Sequence, residues 1–429
     1  MANSSLQRSR TAGSTKTKFT WSAWIKKSAN NAKYLLVNYT DDSNRGLIQF
    51  GGSDEFLFHS KYSNTNNAVL QTNRHFVDTS AWYNFCLIGD STLATAGDRL
   101  KLYVNGVRET SFASETQISQ DGDFYLNEAT TNGFRVGEKG DGSDFFDGYM
   151  AHVVFLDGVA AAYTDFGETD STSGIWKFKS PSGLTFGTNG IHLKFENSAN
   201  LGLDSSGNTN NMSINGNLKQ AIDNPSDLYT SLNVFNGKQQ PSLSNGNTSC
   251  AASSSYKLVP TSFAVSKGKW YCEHKISGGS ANMMIGIIAV KDYNTTSTIN
   301  YCGSTANSVG YHSGNGKTYI NNSNSNYGAT YGDGNIIGLA LDLDSATKTI
   351  TFFKDGATQG AVNLPTNDDL EYYILPSPYN GTCHCNFGNG LFGTDAISSA
   401  GSNGNGSLFE YDVPSGHYAL TTKNINTYG

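Results

Sequence analysis

Short runs of alternating apolar and polar residues recur along the whole chain, separated by turn residues. In the first half Phe19, Trp21, Ala23 and Ile25 alternate with mostly polar residues, and residues 82–88 form a near-continuous apolar run. A period of two is typical of a strand with one buried face, and a continuous apolar run is typical of a strand buried on both faces. Helical periodicity is almost absent, so the pattern predicts an all-β protein.

Two further parts of the first half fit the same pattern. Residues 46–51 and 55–59 form a predicted hairpin around Gly51-Gly52. Residues 145–157 form another near-continuous apolar run, which Asp157-Gly158 closes. Glycine and aspartate are common in tight turns. Residues 158–174 are polar and irregular, and we expect a loop there with room for one helical turn.

A strand-and-turn phrase occurs twice, once in each half of the chain. It reads RLKLYVNG at residues 99–106 and TITFFKDG at residues 349–356. Alternation that ends in Asn-Gly or Asp-Gly is the strongest short-range signal for a hairpin. The repeat predicts two β-sandwiches in tandem, with the two hairpins in equivalent places.

Apolar density falls between residues 203 and 256, where turn residues dominate, and we place the domain boundary there, near Asp223. The prediction is one domain over residues 1–222 and a second over residues 223–429. The chain of 429 residues is long enough for a core in each half.

Strands return after the boundary. The pattern predicts them at residues 269–276, 283–290, 308–312, 335–343, 349–354, 372–376 and 382–387. The stretch 313–335 consists almost entirely of Asn, Ser, Gly, Tyr and Thr, and we expect a long exposed loop with little core there.

Composition narrows the functional classes. Charged residues make up only 15% of the chain, while Gly occurs 47 times and Tyr and Phe 23 times each. The formal net charge of −7 and the absence of a basic block argue against nucleic acid as a ligand. No run of apolar residues is long enough to span a membrane, and residues 1–18 lack the apolar region of a secretory signal. We therefore expect a chain made in the cytosol, with its six cysteines reduced.

Several phrases of the chain resemble known β-sandwich families. In the first half, WSAWIK at residues 21–26, LYVNG at 102–106 and FDGYMA at 146–151 resemble a laminin G/concanavalin A-like jelly roll. In the second half the resemblance is to a SPRY domain, carried by GKWYCE at 268–273, IGLALD at 337–342, FFKDG at 352–356 and NFG at 386–388. The resemblance implies two tandem concanavalin A-like/SPRY-like jelly-roll β-sandwiches.

Two further segments, which lie outside the phrases quoted above, indicate the kind of organism from which the chain comes. Together with the two domains, TDFGET at residues 164–169 and DNPSD at 223–227 look like virion proteins of bacteriophages, especially marine and cyanophage types. Such proteins occur as tail fibres, tail tips and head decorations. The resemblance implies a virion surface location, other virion proteins as partners and synthesis in the host cytoplasm.

Catalytic constellations are incomplete in the sequence. Concanavalin A-like glycanases need Glu-x-Asp-x-x-Glu on one strand, because alternation then gathers three carboxylates on one face. The nearest match, Glu168 and Asp170 followed by Ser173, lacks the third carboxylate. The eight histidines are scattered and no nucleophile elbow is present. We expect no enzymatic activity, with a polysaccharide depolymerase as the less favoured alternative.

Metal ligands are present but not convincingly arranged. Asp121 and Asp123, and likewise Asp141 and Asp144, could offer clustered oxygens to calcium, although Asp-Gly is also ordinary turn chemistry. The pairs Cys272/His274 and Cys383/Cys385 could offer zinc ligands from two strands, or they could simply be small core residues. We expect no metal and no cofactor.

Aromatic residues in and beside the polar stretch are the remaining candidates for a ligand site. They are Tyr311, His312, Tyr319, Tyr327 and Tyr331. Flat rings can stack on sugars while Asn and Ser bond hydroxyl groups. The alternative is that these side chains cap the end of the sandwich or make subunit contacts.

The function expected from the sequence is non-enzymatic and adhesive. We expect a virion surface protein, of tail fibre, tail tip or head fibre, that attaches to a host-surface glycan as a homo-oligomer, with a trimer favoured, or as a multi-copy array. The alternative is a purely structural capsid or tail decoration protein without a ligand.

Overall fold

The computed structural model describes residues 3–429 except residues 12, 14, 31, 235–239, 279–281 and 297. The chain divides into two compact units, Met1–Gln220 and Ala221–Gly429. No helix in the described part of the chain is long and apolar enough to cross a membrane.

Strands dominate the first unit. They are β1 (Ser5–Arg10), β2 (Lys18–Lys27), β3 (Lys33–Asp41), β4 (Asn44–Phe50), β5 (Glu55–Tyr62), β6 (Thr65–His75), β7 (Tyr83–Asp90), β8 (Leu100–Val104), β9 (Val107–Arg108), β10 (Phe112–Thr116), β11 (Thr130–Val136), β12 (Gly148–Asp157), β13 (Gly167–Thr169), β14 (Trp176–Phe178), β15 (Ile191–Leu193) and β16 (Ser213–Asn215). A short 3-10 turn, Tyr163–Asp165, lies in the segment for which one helical turn was predicted.

Two antiparallel sheets form the sandwich of this unit. One has the order β10-β6-β5-β4-β3-β11-β1-β16, and the other β15-β12-β2-β7-β8-β9. Alternate residues of β2 point into the core, where Phe19 lies 5.8 Å from Phe58 and Trp21 lies 6.2 Å from Phe56, measured between ring centroids. The buried aromatic layer between the two sheets is what the alternation in β2 predicts.

The second unit contains the strands that follow. They are β17 (Ser242–Ser244), β18 (Ser249–Ala252), β19 (Lys269–Ser277), β20 (Met284–Ala289), β21 (Ser308–His312), β22 (Lys317–Ile320), β23 (Ser323–Asn326), β24 (Ile336–Asp342), β25 (Thr349–Lys354), β26 (Ala357–Asn363), β27 (Tyr372–Ser377), β28 (Gly381–Asn386), β29 (Leu391–Phe392), β30 (Asp395–Ala396) and β31 (Tyr418–Ala419). Two short helices, α1 (Val290–Thr295) and α2 (Thr422–Tyr428), accompany them.

This unit is a second sandwich. Its eight-stranded sheet has the order β17-β18-β28-β19-β24-β25-β26, with β31 beside β19. The facing sheet has the order β23-β22-β21-β20-β27. Tyr311 of β21 and Phe352 of β25 meet across the core with 5.2 Å between ring centroids. The prediction of an all-β fold with two sandwiches is confirmed.

Both repeated phrases form two-residue hairpins. Asn105 and Gly106 have φ values of 48° and 76°, and Asp355 and Gly356 have 48° and 81°. Positive φ at both central positions defines a type I′ turn, which matches the twist of the flanking strands. Each hairpin ends its sheet, because β9 and β26 are terminal strands in their sheet orders.

The long loop expected at residues 313–335 is wrong. That stretch contains the hairpin β22–β23, whose register pairs Ile320 with Ser323. The turn consists of Asn321 and Asn322, with φ values of 50° and 62°. Asparagine tolerates the left-handed region, so Asn-Asn supports a type I′ turn here much as Asn-Gly does elsewhere. The strand predicted at residues 283–290 is also too long, since α1 begins at Val290.

Candidate functional site

The aromatic residues predicted as a ligand site divide between the two faces of one sheet. Strand β21 sends Tyr311 into the core and His312 outward, as alternation requires. Tyr311 is fully buried, and its ring lies 5.2 Å from Tyr327, 4.9 Å from Tyr331 and 5.2 Å from Phe352 between centroids. These inward rings build the sandwich.

Tyr327 and Tyr331 are held by internal hydrogen bonds. The Tyr331 hydroxyl donates to the Tyr311 carbonyl at 2.6 Å. The Tyr327 hydroxyl accepts the Phe352 N–H at 3.1 Å and donates to the Gly360 carbonyl, at the point where the register between β25 and β26 shifts. It replaces the ladder bond that this bulge removes. Tyr311 and Tyr331 therefore have no face for a ligand, and Tyr327 is engaged in the ladder.

His312 and Tyr319 lie on the outer face, where three other tyrosines join them. We call this group the tyrosine cluster, and its members are Tyr256, Tyr301, His312, Tyr319 and Tyr379. Neighbouring ring centroids are 5.2 to 5.8 Å apart, from Tyr256–Tyr379 to Tyr301–Tyr319. All five side chains are half-buried, so each ring contributes to a shared surface.

The rings of the cluster are tilted against one another. The interplanar angle is 52° for Tyr256 and Tyr301, 84° for Tyr301 and Tyr319, and 36° for His312 and Tyr319. Tilted packing lets aromatic rings contact one another through their edges. An edge-to-face contact covers a face of only one of its two rings, so fewer ring faces are covered here than in a parallel stack.

His312 is a neutral member of the cluster. The Gly314 N–H donates to Nδ1 at 3.0 Å, which assigns the proton to Nε2, and Nε2 lies 3.3 Å from the Tyr256 hydroxyl. Burial lowers the pKa of His312 below its ordinary value. The imidazole is therefore uncharged at neutral pH, and no Asp, Glu, Lys or Arg side chain belongs to the cluster.

Amide side chains border the rings. The Asn315 Nδ2 donates to the Tyr319 hydroxyl at 2.9 Å, and the Tyr301 hydroxyl donates to Asn322 Oδ1 at 2.9 Å. Asn315 and Asn322 are exposed, so these groups can exchange an internal hydrogen bond for one to a ligand. The arrangement can stack on an apolar ring face and bond hydroxyl groups, but it contains no pair of carboxylates of the kind that glycoside hydrolysis ordinarily uses.

The sequence did not identify three members of the cluster. Tyr256, Tyr301 and Tyr379 come from connections without periodicity, and only the folded chain brings them to Tyr319. His312 and Tyr319 were found because they lie in the polar, tyrosine-rich stretch. A parity argument could have excluded Tyr311, because it shares a strand face with the core residue Val309.

Asp141, one of the aspartates considered for calcium, is engaged in a turn and an ion pair. Asp141 Oδ2 lies 3.0 Å from Lys139 Nζ, and Oδ1 accepts the Ser143 N–H at 3.1 Å. The hydrogen bond from the Ser143 hydroxyl and the Lys139 ammonium lower the pKa of Asp141. Throughout the described ranges no three or more His, Cys, Asp or Glu side chains are gathered as a metal ion needs.

The residues considered for zinc belong to the second core. Cys385 lies directly opposite His274 in the ladder between β19 and β28, and Cys272, Cys383 and His274 are all fully buried. Burial raises the pKa of the Cys385 thiol to about 11 and lowers the pKa of His274 to about 4. Both shifts favour uncharged groups, as expected of packed core side chains.

The carboxylates considered for glycan hydrolysis share one lysine. Lys177 Nζ lies 3.4 Å from Glu168 and 3.4 Å from Asp170. The N–H groups of Ser173 and Thr172 lower the pKa of Asp170 to about 2. A general acid in a glycanase needs a raised pKa, so this environment works against that role.

Comparison with known families agrees with this architecture. Residues 2–162 match a family model described as the concanavalin A-like lectin/glucanases superfamily, and residues 269–390 match a model of the SPRY domain. No curated protein matches the chain.

Solved structures of SPRY domains are also similar to part of the chain. A human SPRY domain is 18% identical, covers 35% of this chain and 95% of its own, and has a TM-score of 0.28. The SPRY domain of human HERC1 is 16% identical, with 36% and 96% coverage and a TM-score of 0.31. Stonustoxin is 16% identical over 37% of this chain and 27% of its own, with a TM-score of 0.31. The matches to the two family models show that the chain carries a concanavalin A-like domain followed by a SPRY domain.

Proposed function

We propose that this chain is a non-enzymatic binding protein whose tyrosine cluster attaches to a surface glycan. The observation that carries the proposal is a neutral, half-buried group of tilted rings bordered by exposed amides. Aromatic side chains supply contact area at low entropic cost, because each has few rotatable bonds. Asparagine amides supply adaptable hydrogen bonds for hydroxyl groups.

One such surface should bind weakly. An exposed hydrogen bond contributes only ~0.5–1.5 kcal/mol net, because water competes for the same groups. Adhesion then depends on several copies acting through effective concentration. We propose a homo-oligomer, with a trimer favoured, or a multi-copy array on a bacteriophage particle, as the likeness of the sequence to virion proteins suggests.

A binding role is also favoured over hydrolysis by the state of the carboxylates. Glu168 and Asp170 are tied to Lys177, and Asp170 is held ionised. The tyrosine cluster itself contains no carboxylate, whereas glycoside hydrolysis ordinarily needs a pair of them. We therefore propose that bound polysaccharide is left intact.

The test is an array of bacterial surface polysaccharides probed with the purified full chain. Tyr301→Ala and Tyr319→Ala should each lower binding about tenfold or more, because truncating a central aromatic anchor typically costs about 2 kcal/mol. Tyr103→Ala is the matched control, since Tyr103 is a half-buried tyrosine of the first domain, and it should bind as the natural chain does. Unchanged binding by both cluster variants would refute the site.

A structural decoration protein is the second candidate, and one observation favours it. Strand β26, Ala357–Asn363, is a mostly exposed sheet edge of seven residues without a charged side chain. Uncharged edges pair readily with other chains, and charges or coverage usually prevent this. If no glycan binds and electron microscopy of the particle shows the tyrosine cluster covered by a neighbouring subunit, this second reading is correct.

A further inference from the structure

A strap covers the outer face of the eight-stranded sheet in the SPRY domain. It comprises residues 398–413, and its Phe409 and Val413 are buried with Tyr271 and Ala340 of the sheet. The rings of Tyr271 and Phe409 meet edge to face with 5.0 Å between centroids. The strap therefore protects an apolar sheet face from water.

One carboxylate fastens this strap. Glu273 of β19 is fully buried, and its two oxygens accept the Glu410 N–H at 2.8 Å and the Tyr411 N–H at 2.9 Å. The Asn386 Nδ2 and the Tyr271 hydroxyl each donate to it at 3.3 Å. Both strap N–H groups thus depend on a single side chain of the sheet.

No cation balances Glu273 within the part of the chain that the structure describes. Lys275 shares its strand face, but the Lys275 ammonium lies 3.5 Å from Asp395. The other titratable groups around Glu273 are neutral or anionic, and they are the side chains of Tyr271, Cys272, Asp355, Glu410 and Tyr411. An ionised carboxylate at this position is therefore stabilised by hydrogen bonds alone.

We propose that Glu273 is a proton-dependent latch, which holds the strap closed when protonated and loosens it when ionised. Burying a charge without a counter-ion is unfavourable, and hydrogen bonds offset only part of that cost. A neutral carboxyl removes the cost and still has lone pairs for the two strap N–H groups. Its own hydrogen can be donated to the Tyr271 oxygen.

The direction of the pH dependence follows from the difference between the pKa of Glu273 in the closed strap and its pKa in the open strap. Burial raises the pKa of Glu273 to about 7, against an ordinary value of 4.5, and the hydrogen bonds to Glu410, Tyr411, Tyr271 and Asn386 act in the opposite direction. The closed strap binds the proton more tightly than the open strap, in which the carboxyl meets water. Closure is therefore favoured at low pH and is lost as the pH rises through about 7.

Amide hydrogen exchange of the full chain tests the latch. Between pH 5 and pH 8, protection of the Glu410 and Tyr411 amides, corrected for intrinsic exchange rates, should fall on the order of 50-fold in the natural chain. In Glu273→Gln the protection should not vary with pH, because the glutamine cannot titrate. Glu410→Gln is the matched control, since this strap carboxylate bonds Ser398 and should leave the pH dependence in place.

Two results would overturn the proposal. One is pH-independent protection in the natural chain, and the other is an unchanged pH dependence in Glu273→Gln. If that variant fails to fold, the carboxyl carbon of Glu273 can be titrated by NMR in the natural chain. A pKa above 6 supports the latch, and a pKa of 6 or below contradicts it.

Discussion

One group of half-buried aromatic side chains lies on the outer face of a sheet in each domain, and the rings of these two groups are arranged differently. In the first domain Tyr103 and Tyr163 stack in parallel, with 4.2 Å between centroids and an interplanar angle of 12°. In the second domain the rings of the tyrosine cluster are tilted, as Tyr301 and Tyr319 show at 84°. A parallel pair covers one face of each ring, whereas an edge-to-face pair covers a face of only one ring and leaves more ring surface for another molecule.

The first-domain group, which consists of Tyr103, Tyr163 and Trp176, is also held more firmly than the tyrosine cluster. The Trp176 ring lies on Gly106 and Gly167, where an added Cβ would come within 2.3 Å of the indole. Its Nε1 donates to Asn84 Oδ1 at 3.0 Å. This group closes a hairpin onto the sheet, so half-buried aromatics do not by themselves indicate a ligand surface.

The two domains also differ in the side chain that holds a covering segment on the sheet. The covering segments are the one that contains Trp176 in the first domain and the strap in the second. Trp176 in the first domain is held by Asn84, a neutral amide, and the strap of the second domain is held by Glu273, a carboxylate. In both domains an aromatic ring of the covering segment lies on the glycine of the repeated hairpin. Trp176 lies on Gly106 in the first domain, and Tyr411 lies on Gly356 in the second. Related architecture thus has a pH-independent anchor in one domain and a titratable anchor in the other.

The largest expected effect comes from removing the first-domain fastener. Trp176→Ala should destabilise the first domain by about 3 kcal/mol, because a large ring and its hydrogen bond are lost together. Tyr319→Ala should leave the stability of the second domain nearly unchanged. Denaturant titration followed by hydrogen exchange of peptides from each domain measures both. Equal losses of stability would abolish the distinction between a fastener and a binding surface.

The next largest effect is expected when the neutral amide that holds Trp176 is replaced by a carboxyl group. Asn84→Asp should destabilise the packing of the Trp176 segment on the sheet, which we call the first-domain cover, by about 1–3 kcal/mol. The Asn84 amide also donates a hydrogen bond to the Ala23 carbonyl, and this donor is lost in the variant. The new carboxyl is buried, so its pKa should be raised and the cover should loosen further as the pH rises. Exchange of the Asp170 amide, which bonds the Ile175 carbonyl, reports on the cover. A cover that is equally stable at pH 5 and pH 8 would contradict this reading.

A smaller effect is expected from Tyr327, the half-buried tyrosine at the bulge. Tyr327→Phe keeps the ring but leaves the Phe352 N–H and the Gly360 carbonyl without their bridging hydroxyl, which should cost about 1 kcal/mol. Tyr319→Phe removes an exposed hydroxyl and should cost less. Urea denaturation of the full chain, read from second-domain peptides, compares the two variants. A larger loss for Tyr319→Phe would contradict the assignment of Tyr327 to the ladder.

The sequence predicted the fold better than the site. Alternation in β2 and β19 and the glycines of two hairpins specify strands locally, so the two sandwiches could be predicted. Asn321 and Asn322 were misjudged because a polar, low-complexity stretch hides a turn between strands. The tyrosine cluster depends on Tyr256 and Tyr301 meeting Tyr319 across long sequence separations, which no local pattern records.

The central claim is that ligand contact belongs to the tilted rings of the second domain. The most direct measurement is an NMR titration of the full chain, labelled at its tyrosine rings, with the oligosaccharide that binds best on the array. We predict that the signals of Tyr301 and Tyr319 shift while those of Tyr103 and Tyr163 do not. Shifts confined to Tyr103 and Tyr163, or none at Tyr301 and Tyr319, would contradict the claim.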